Sequence, residues 1–361
     1  MRGQTDPQAK LFSYVSPESR VPRNHPLRRV RMLVGVVLDR LSTTFEAMYS
    51  HTGRPSIPPE RLLKSCLLIA LYSIRSDRMF CERLDYDLLF RWFLDMDLDS
   101  ESFDASSFSK NRERLLAHDV ARRFFDEVVK LARGEGLLSD EHFSVDGTLI
   151  EAWASQKSFQ RKDDEDPPSR GKNRDVNFHG ERRSNETHRS TTDPDARLAR
   201  KAKGQPAKLC YSGNALMDHR EGLCVDICVV QASGTSERVA AEAMLARQAR
   251  KRVRPATLAA DKGYFVRDFI GSLRQRGIVP HIAAIDDRRM PGMDKRTTRH
   301  GSYAVSMRVR KRIEEIFGWL KTIGGLRKVR VRGVQRVQMT AQLAAAAYNL
   351  VRIGRLLPAT T

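Results

Sequence analysis

The sequence has no apolar run long enough to cross a bilayer: the longest, around Leu67–Leu71, falls far short of the ~18 residues that a spanning helix needs. Its opening residues, MRGQTDPQAKLF, lack the apolar core of a secretory signal. Cysteine is scarce, with five in 361 residues. Cys66, Cys81, Cys210, Cys224 and Cys228 mostly lie among apolar neighbours, the pattern of small core residues and not of a disulfide framework. Cys224 and Cys228 with His219 nearby suggest zinc, but no second ligand pair follows at finger-like spacing. These deficits predict a cytoplasmic protein without a membrane partner.

Acidic residues are also in deficit. Forty-four Asp and Glu face 64 Lys and Arg, a formal charge of +20. A charge so far from zero favours polyanionic partners, nucleic acid first and an acidic membrane surface second. The length predicts two or three domains, because single cores usually stop growing near ~250 residues.

From Pro26 to about Leu137 the apolar spacing is helical. In GRPSIPPERLLKSCLLIALYSI, Ser56 and the prolines before Glu60 read as a capped helix start, with Leu62, Leu63, Cys66, Leu67 and Ala70 on one face. Further helices are predicted over Leu27–Tyr49, Tyr86–Asp95, Ser107–Leu116 and Asp119–Ala132. At Glu141 the pattern changes to strand-like alternation in HFSVDGTLIEAW. The residues from Ser155 to about Lys208 are polar, with no sustained period, and read as a long flexible insertion. AKLCYSGNALMD and LCVDICVVQAS then predict a hairpin, followed by a helix over Thr235–Arg252, a short strand ending at Asp261, a helix over Val266–Arg276 and a strand in GIVPHIAAI. A basic polar loop, DDRRMPGMDKRTTRHGS, leads to a long helix near Met307–Lys321. This order predicts a mixed α/β sheet whose first three strands are antiparallel and whose later strands are joined by helical crossovers.

Three acids stand where such a sheet would gather them: Asp146 on the polar side of the first strand, Asp261 at the end of the fourth and Glu314 on the last helix. Carboxylates at strand ends face the crevice where α/β proteins bind ligands, and converging carboxylates suit Mg²⁺. Each also has a plainer reading. Asp146-Gly147 is a hairpin-turn dipeptide, Asp261 suits a helix N-cap, and Glu314 could pair with Arg310 one turn earlier on the surface. On an ideal helix Arg310, Glu314 and Lys321 fall within about 60° of one another, so one acid is flanked by two cations. Val309, Ile313, Phe317 and Leu320 form an apolar stripe alongside. Such a face could hold a metal through Glu314 and phosphates through Arg310 and Lys321. LRKVRVRGVQR alternates cations with apolar residues, so Arg327, Lys328 and Arg330 read either as a DNA-backbone contact or as a solvated strand face.

These blocks resemble the DDE transposases of bacterial insertion sequences, in the group that includes the IS-four and IS-five types. SVDGTLIEAW looks like the first-aspartate block, LAADKGY the second and RKRIEEIFGWLK the glutamate block. The group's tyrosine, arginine, glutamate and lysine signature is matched at Arg310, Glu314 and Lys321, while Met307 stands at the tyrosine position and Tyr303 lies one turn away. The register selects Glu314 over Glu315. GRPSIPPERLLKSCLL and VNFHGERRSNETH, the latter within the insertion, also resemble stretches of that group.

The resemblance implies a ribonuclease-H-like, retroviral-integrase-like core with an N-terminal all-helical domain. The ranges expected are 1–138 for the helices, 139–335 for the catalytic domain with its insertion at about 155–207, and 336–361 for a C-terminal helix on the core. It further implies that Asp146, Asp261 and Glu314 bind two Mg²⁺ ions, with Mn²⁺ as a substitute, and cut and join double-stranded DNA at terminal inverted repeats and target sites. A homodimer on DNA is expected. Two rivals are a transposase-derived DNA-binding protein that no longer cuts and a metal-dependent hydrolase of small phosphate esters.

Overall fold

Local capping chemistry starts most helices of the first third. The computed structural model describes residues 15–49, 56–162, 183–202, 204–285 and 290–358. Its helices begin with α1 (Pro17–Arg20), α2 (Pro26–Asp39), α3 (Ser42–Glu46), α4 (Pro59–Leu71) and α5 (Asp77–Tyr86). They continue through α6 (Leu88–Phe93), α7 (Ala105–Ala117) and α8 (Val120–Gly134). Ser76, Asp87 and Asp104 each accept a first-turn backbone N–H, of Met79, Phe90 and Ser107. α8 buries Phe124, Phe125, Val128 and Val129 along one face, and each such burial contributes roughly 1.5–3 kcal/mol.

Two expectations for this region are corrected, and one helix is added. The helix predicted over Leu27–Tyr49 breaks at Arg40 and Leu41, ahead of Ser42-Thr43-Thr44, whose hydroxyl and β-branched side chains favour a new start over continuation. Ser56 is not a cap: Pro58 holds an extended backbone at the N-cap position, so the helix begins at Pro59, and the Ser56 hydroxyl accepts from Arg114 instead. The helix α5, behind its Ser76 cap, was not expected.

The sheet begins with β1 (His142–Glu151); β2 (Phe159–Arg161), β3 (His188–Ser190) and β4 (Arg197–Ala199) follow. Next come β5 (Lys208–Asp218), β6 (Cys224–Gln231), α9 (Ser236–Arg250), β7 (Thr257–Ala260), α10 (Arg267–Gln275) and β8 (Val279–Ile282). β6, β5 and β1 are antiparallel neighbours, and β7 then β8 continue parallel on the other side of β1. That order, with crossovers through α9 and α10, is the ribonuclease-H-like arrangement. Asp146-Gly147 lies in mid-strand, opposite Ala215 and Asn214, which removes the hairpin-turn reading.

The insertion departs from expectation where it is described. β2 and β3 pair antiparallel, and β4 joins β5 beyond the end of β6. Pairing with a neighbouring edge supplies the order that the polar sequence does not signal. The stretch 163–182, including most of RKDDEDPPSRGKNR and VNFHGERRSNETH, lies outside the described residues, as does 286–289 of the basic loop. The rest of that loop contains α11 (Lys295–Arg299), capped by Asp294. The long helix expected near Met307–Lys321 is instead α12 (Gly301–Val309), a 3₁₀ turn over Arg310–Arg312 and α13 (Ile313–Thr322).

α14 (Val334–Leu356) packs against α2, α4, α8 and β6, with Ala344–Ala347 fully buried. Its side-chain amides serve the edge of β6: Asn349 bonds the N–H and C=O of Cys224, and Gln338 those of Val229 and Ile227. The exposed strand edge is thereby satisfied within the chain. Buried Asp226 on β6 accepts from Arg122 of α8 at 2.8 Å and Arg247 of α9 at 2.9 Å, tying the N-terminal helices to the sheet.

Candidate active site

Two aspartates are levelled by strand register. β1 and β7 pair through Ser144 and Ala259, and Asp146 and Asp261 each stand two residues farther along. Neighbouring strands run about 4.8 Å apart, so both acids emerge at the same end of the parallel pair. Asp261 also accepts the Gly263 N–H at 2.8 Å and so caps the 3₁₀ turn that follows it. Asp146 accepts the N–H of Gly147 at 2.8 Å.

Glu314 comes from the first turn of α13. With Asp261 it raises the Asp146 carboxyl, which burial above all pushes up to about 6, while the Gly147 N–H and the Arg310 guanidinium oppose the rise. Arg310 sits in the 3₁₀ turn, so the ideal-helix face is not preserved there, yet its charge still acts on Asp146. Its Nε is buried without a hydrogen-bond partner among the described residues. Glu315, in contrast, lies 3.2 Å from Arg352 and 3.9 Å from Arg312. Among the described residues Glu314 forms no ion pair, which separates the two neighbouring acids by surroundings.

Lys321 donates to the Thr148 hydroxyl at 2.5 Å, two residues along β1 from Asp146 and on the same face. Half-burial lowers its ammonium pKa, with Lys201 and Arg327 adding to the effect. Arg327, Lys328 and Arg330 are exposed, whereas Leu326 and Val329 are buried. The Glu151 N–H donates to the Arg327 C=O and the Glu151 C=O accepts from Val329, so this basic segment meets the end of β1 through a single parallel bridge at Lys328. Lys328 and Arg330 lie against the Trp153 ring, and Lys328 also pairs with Glu151.

A fourth acid escaped the sequence reading. Glu237, in the first turn of α9, packs on Gly147, and burial with the charges of Asp146 and Asp261 raises its carboxyl. Its sequence signal, an acid at a helix start, is also what the helix dipole favours anywhere. Tyr264 is fully buried beside the same acids and its hydroxyl has no partner among the described residues.

The donors are all hard oxygens, and Asp146, partly buried among like charges, calls for a cation, so the residues suit a divalent metal ion in chemistry. Among the described residues no three acidic, imidazole or thiol groups close to a ligating distance, so the carboxylates are neighbours rather than a finished coordination shell. No described helix is long and apolar enough to cross a membrane.

Residues 138–350 match the family model described as the transposase DDE domain, and residues 15–114 match that described as a transposase domain (DUF772). No curated protein matches the chain. Among solved structures, the piggyBac transposase synaptic complex with hairpin DNA is similar at 10% identity over 93% of this chain and 77% of that one, with a TM-score of 0.41. The Mos1 transposase paired-end complex with left transposon end is similar at 10% identity over 92% and 94%, with a TM-score of 0.21.

Proposed function

The chain belongs to the DDE-domain transposases, enzymes of DNA cleavage and strand transfer, and we propose that Asp146, Asp261 and Glu314 are its catalytic carboxylates. The observation that carries this is the meeting of charges from three separate elements at Asp146, while the adjacent Glu315 is spent on Arg352. In this reading the three carboxylates hold two Mg²⁺ ions, with Mn²⁺ as a substitute. When bound, the ions supply Lewis-acid stabilisation of charge on the attacking and leaving oxygens of a phosphodiester.

The chain's own residues then orient the DNA. Arg310 and Lys321 flank the carboxylates and take adjacent phosphates, while Arg327, Lys328 and Arg330 extend the contact along the backbone. The substrates are double-stranded DNA bearing the element's terminal inverted repeats and, for joining, target DNA. The helices up to about residue 138 bind those ends or pair two copies into a homodimer, with residues 139–335 as the catalytic unit and 336–361 as its packing helix. An open site beside an extended basic segment suits a polymer better than a small phosphate ester.

The test is cleavage of DNA carrying the cognate ends in Mg²⁺ or Mn²⁺. Asp261→Ala is expected to bind those ends without cutting them. Undiminished cleavage by that variant would overturn the assignment, and wild-type binding without metal-dependent cutting would favour a non-cutting derivative.

A further inference from the structure

Glu314 is exposed, and the first turn of α13 that carries it begins without a side-chain cap, directly after the 3₁₀ turn over Arg310–Arg312. The first N–H groups of such a helix have no partner within it, so the turn is held by what surrounds it. Buried Ile313 and Ile316 hold its inner side. On the outer side stand an acid and two arginines. Glu315 Oε2 lies 3.2 Å from Arg352 Nη1 of α14, and Glu315 Oε1 lies 3.9 Å from Arg312 Nε. Both guanidinium groups also reach the turn between β5 and β6. Arg352 donates through Nε to the Glu221 C=O, and Arg312 through Nη1 to the Arg220 C=O at 3.4 Å. Gly222, at φ +66°, lets them close in: a Cβ there would stand 3.1 Å from Arg312 Nη2 and 3.3 Å from Arg352 Nη2.

The same turn is fastened to the strand of Asp146. The His219 N–H donates to the His142 C=O at 2.9 Å, and His219 Nε2 lies 2.6 Å from the Ser144 hydroxyl, two residues before Asp146 on β1. Tyr348 of α14 donates to the Gly222 C=O at 3.1 Å. The turn is thus tied to β1 on one side and, through Arg312 and Arg352, to the start of α13 on the other. We infer that Glu315, with Arg312 and Arg352, is a clamp that positions Glu314 at the metal site, and that Glu315 itself touches neither metal nor DNA. The inference rests on the reading of Glu314 as a metal ligand. Through the clamp, the β5–β6 turn sets how far Glu314 stands from Asp146. The Glu315 side chain is 52% exposed, so its ion pairs add little to stability. What they fix is the orientation of the residue beside it.

Mn²⁺ titrated calorimetrically into the full chain without DNA reads the site while nothing is cut. The wild type is expected to take up the ion, and Glu314→Gln to lose most of that binding. Glu315→Gln should weaken it by about tenfold, the lower end of what losing a residue that orients a ligand costs, with the melting temperature in EDTA hardly moved. Arg352→Gln breaks the same pair from its other side and should weaken uptake at least as much. The double variant should bind no more weakly than Arg352→Gln alone, because the two changes remove one contact. Glu113→Gln, which breaks another half-exposed pair, with Arg336 of α14, should bind as the wild type does. Unchanged affinity in Glu315→Gln, additive losses in the double variant, or an equal loss in Glu113→Gln overturns the clamp alone. Absence of uptake by the wild type, or uptake undiminished in Glu314→Gln, overturns the metal reading of the carboxylates as well.

Discussion

Glu237 fills the space that a side chain at Gly147 would need: a Cβ built on Gly147 would stand 2.6 Å from Glu237 Cγ and 2.7 Å from its Oε1. Asn214 Oδ1 is equally close, at 2.7 Å, and this side chain is buried and bonded to Ser212 and Cys228. Close approach at the strand carrying Asp146 thus depends on glycine.

Gly147→Ala should therefore displace Glu237 and Asn214, with a stability loss of about 1–3 kcal/mol as for other overpacked sites. Adding Glu237→Ala relieves one of the two clashes, so the double variant should lose less stability than the sum of the single ones. Strict additivity in chemical denaturation would show that Glu237 does not occupy this space.

Asp146 offers a pH test. Its folded carboxyl titrates near 6 against an ordinary 3.8, so between those values the folded protein holds a proton that the unfolded chain has lost. Stability accordingly falls as pH rises through that window and stays lower above it. Asp146→Asn should raise the melting temperature at about pH 7.5, by the equivalent of about 1–3 kcal/mol, and have little effect near pH 4. An unchanged melting temperature at the higher pH would contradict the burial argument.

Metal addition should be linked to the same group. Mg²⁺ that binds only the folded state stabilises it by mass action, and ligation requires the ionised carboxylate. Thermal stabilisation by millimolar Mg²⁺ should shrink as pH drops below about 6, and Asp146→Asn should remove most of it. Stabilisation independent of both pH and Asp146 would place the cation elsewhere.

Lys321 makes a separable contribution. Lys321→Ala should weaken binding across DNA sequences and lower the slope of log affinity against log salt by about one, as for one lost phosphate contact. A salt slope equal to that of the wild type would mean that Lys321 serves only Thr148.

Asp226 tests the tie between the helices and the sheet. Burial alone would raise its carboxyl, but Arg122 and Arg247 together hold it below the usual range. Its contribution is thus present above the usual carboxylate pKa and lost as pH falls through the depressed folded value. Asp226→Ala leaves two guanidinium groups facing each other without their acid and should cost about 3–5 kcal/mol at neutral pH. A loss under 1 kcal/mol by denaturant titration would show the pair to be dispensable.

Much of the site was legible in the chain because its signals are local. Strand alternation around Asp146, the buried run ending at Asp261 and the cation-flanked Glu314 can be read within a few residues each. Glu237 was not legible, since an acid in a first helical turn has the same appearance whether it faces solvent or a neighbouring strand. The short strands of the insertion were hidden for a related reason: β4 is ordered by the edge of β5, a partner distant from its own polar sequence.

By itself the sequence determined the order of helices and strands, the excess of positive charge and the family, because periodicity, capping and motif blocks are properties of short stretches. The tertiary structure alone decided which acids share space. The β1–β7 register brings Asp261 level with Asp146, the 3₁₀ turn aims Glu314 and Arg310, and Gly147 admits Glu237. Each is set by packing between residues far apart in the chain, and no local pattern encodes such a distance.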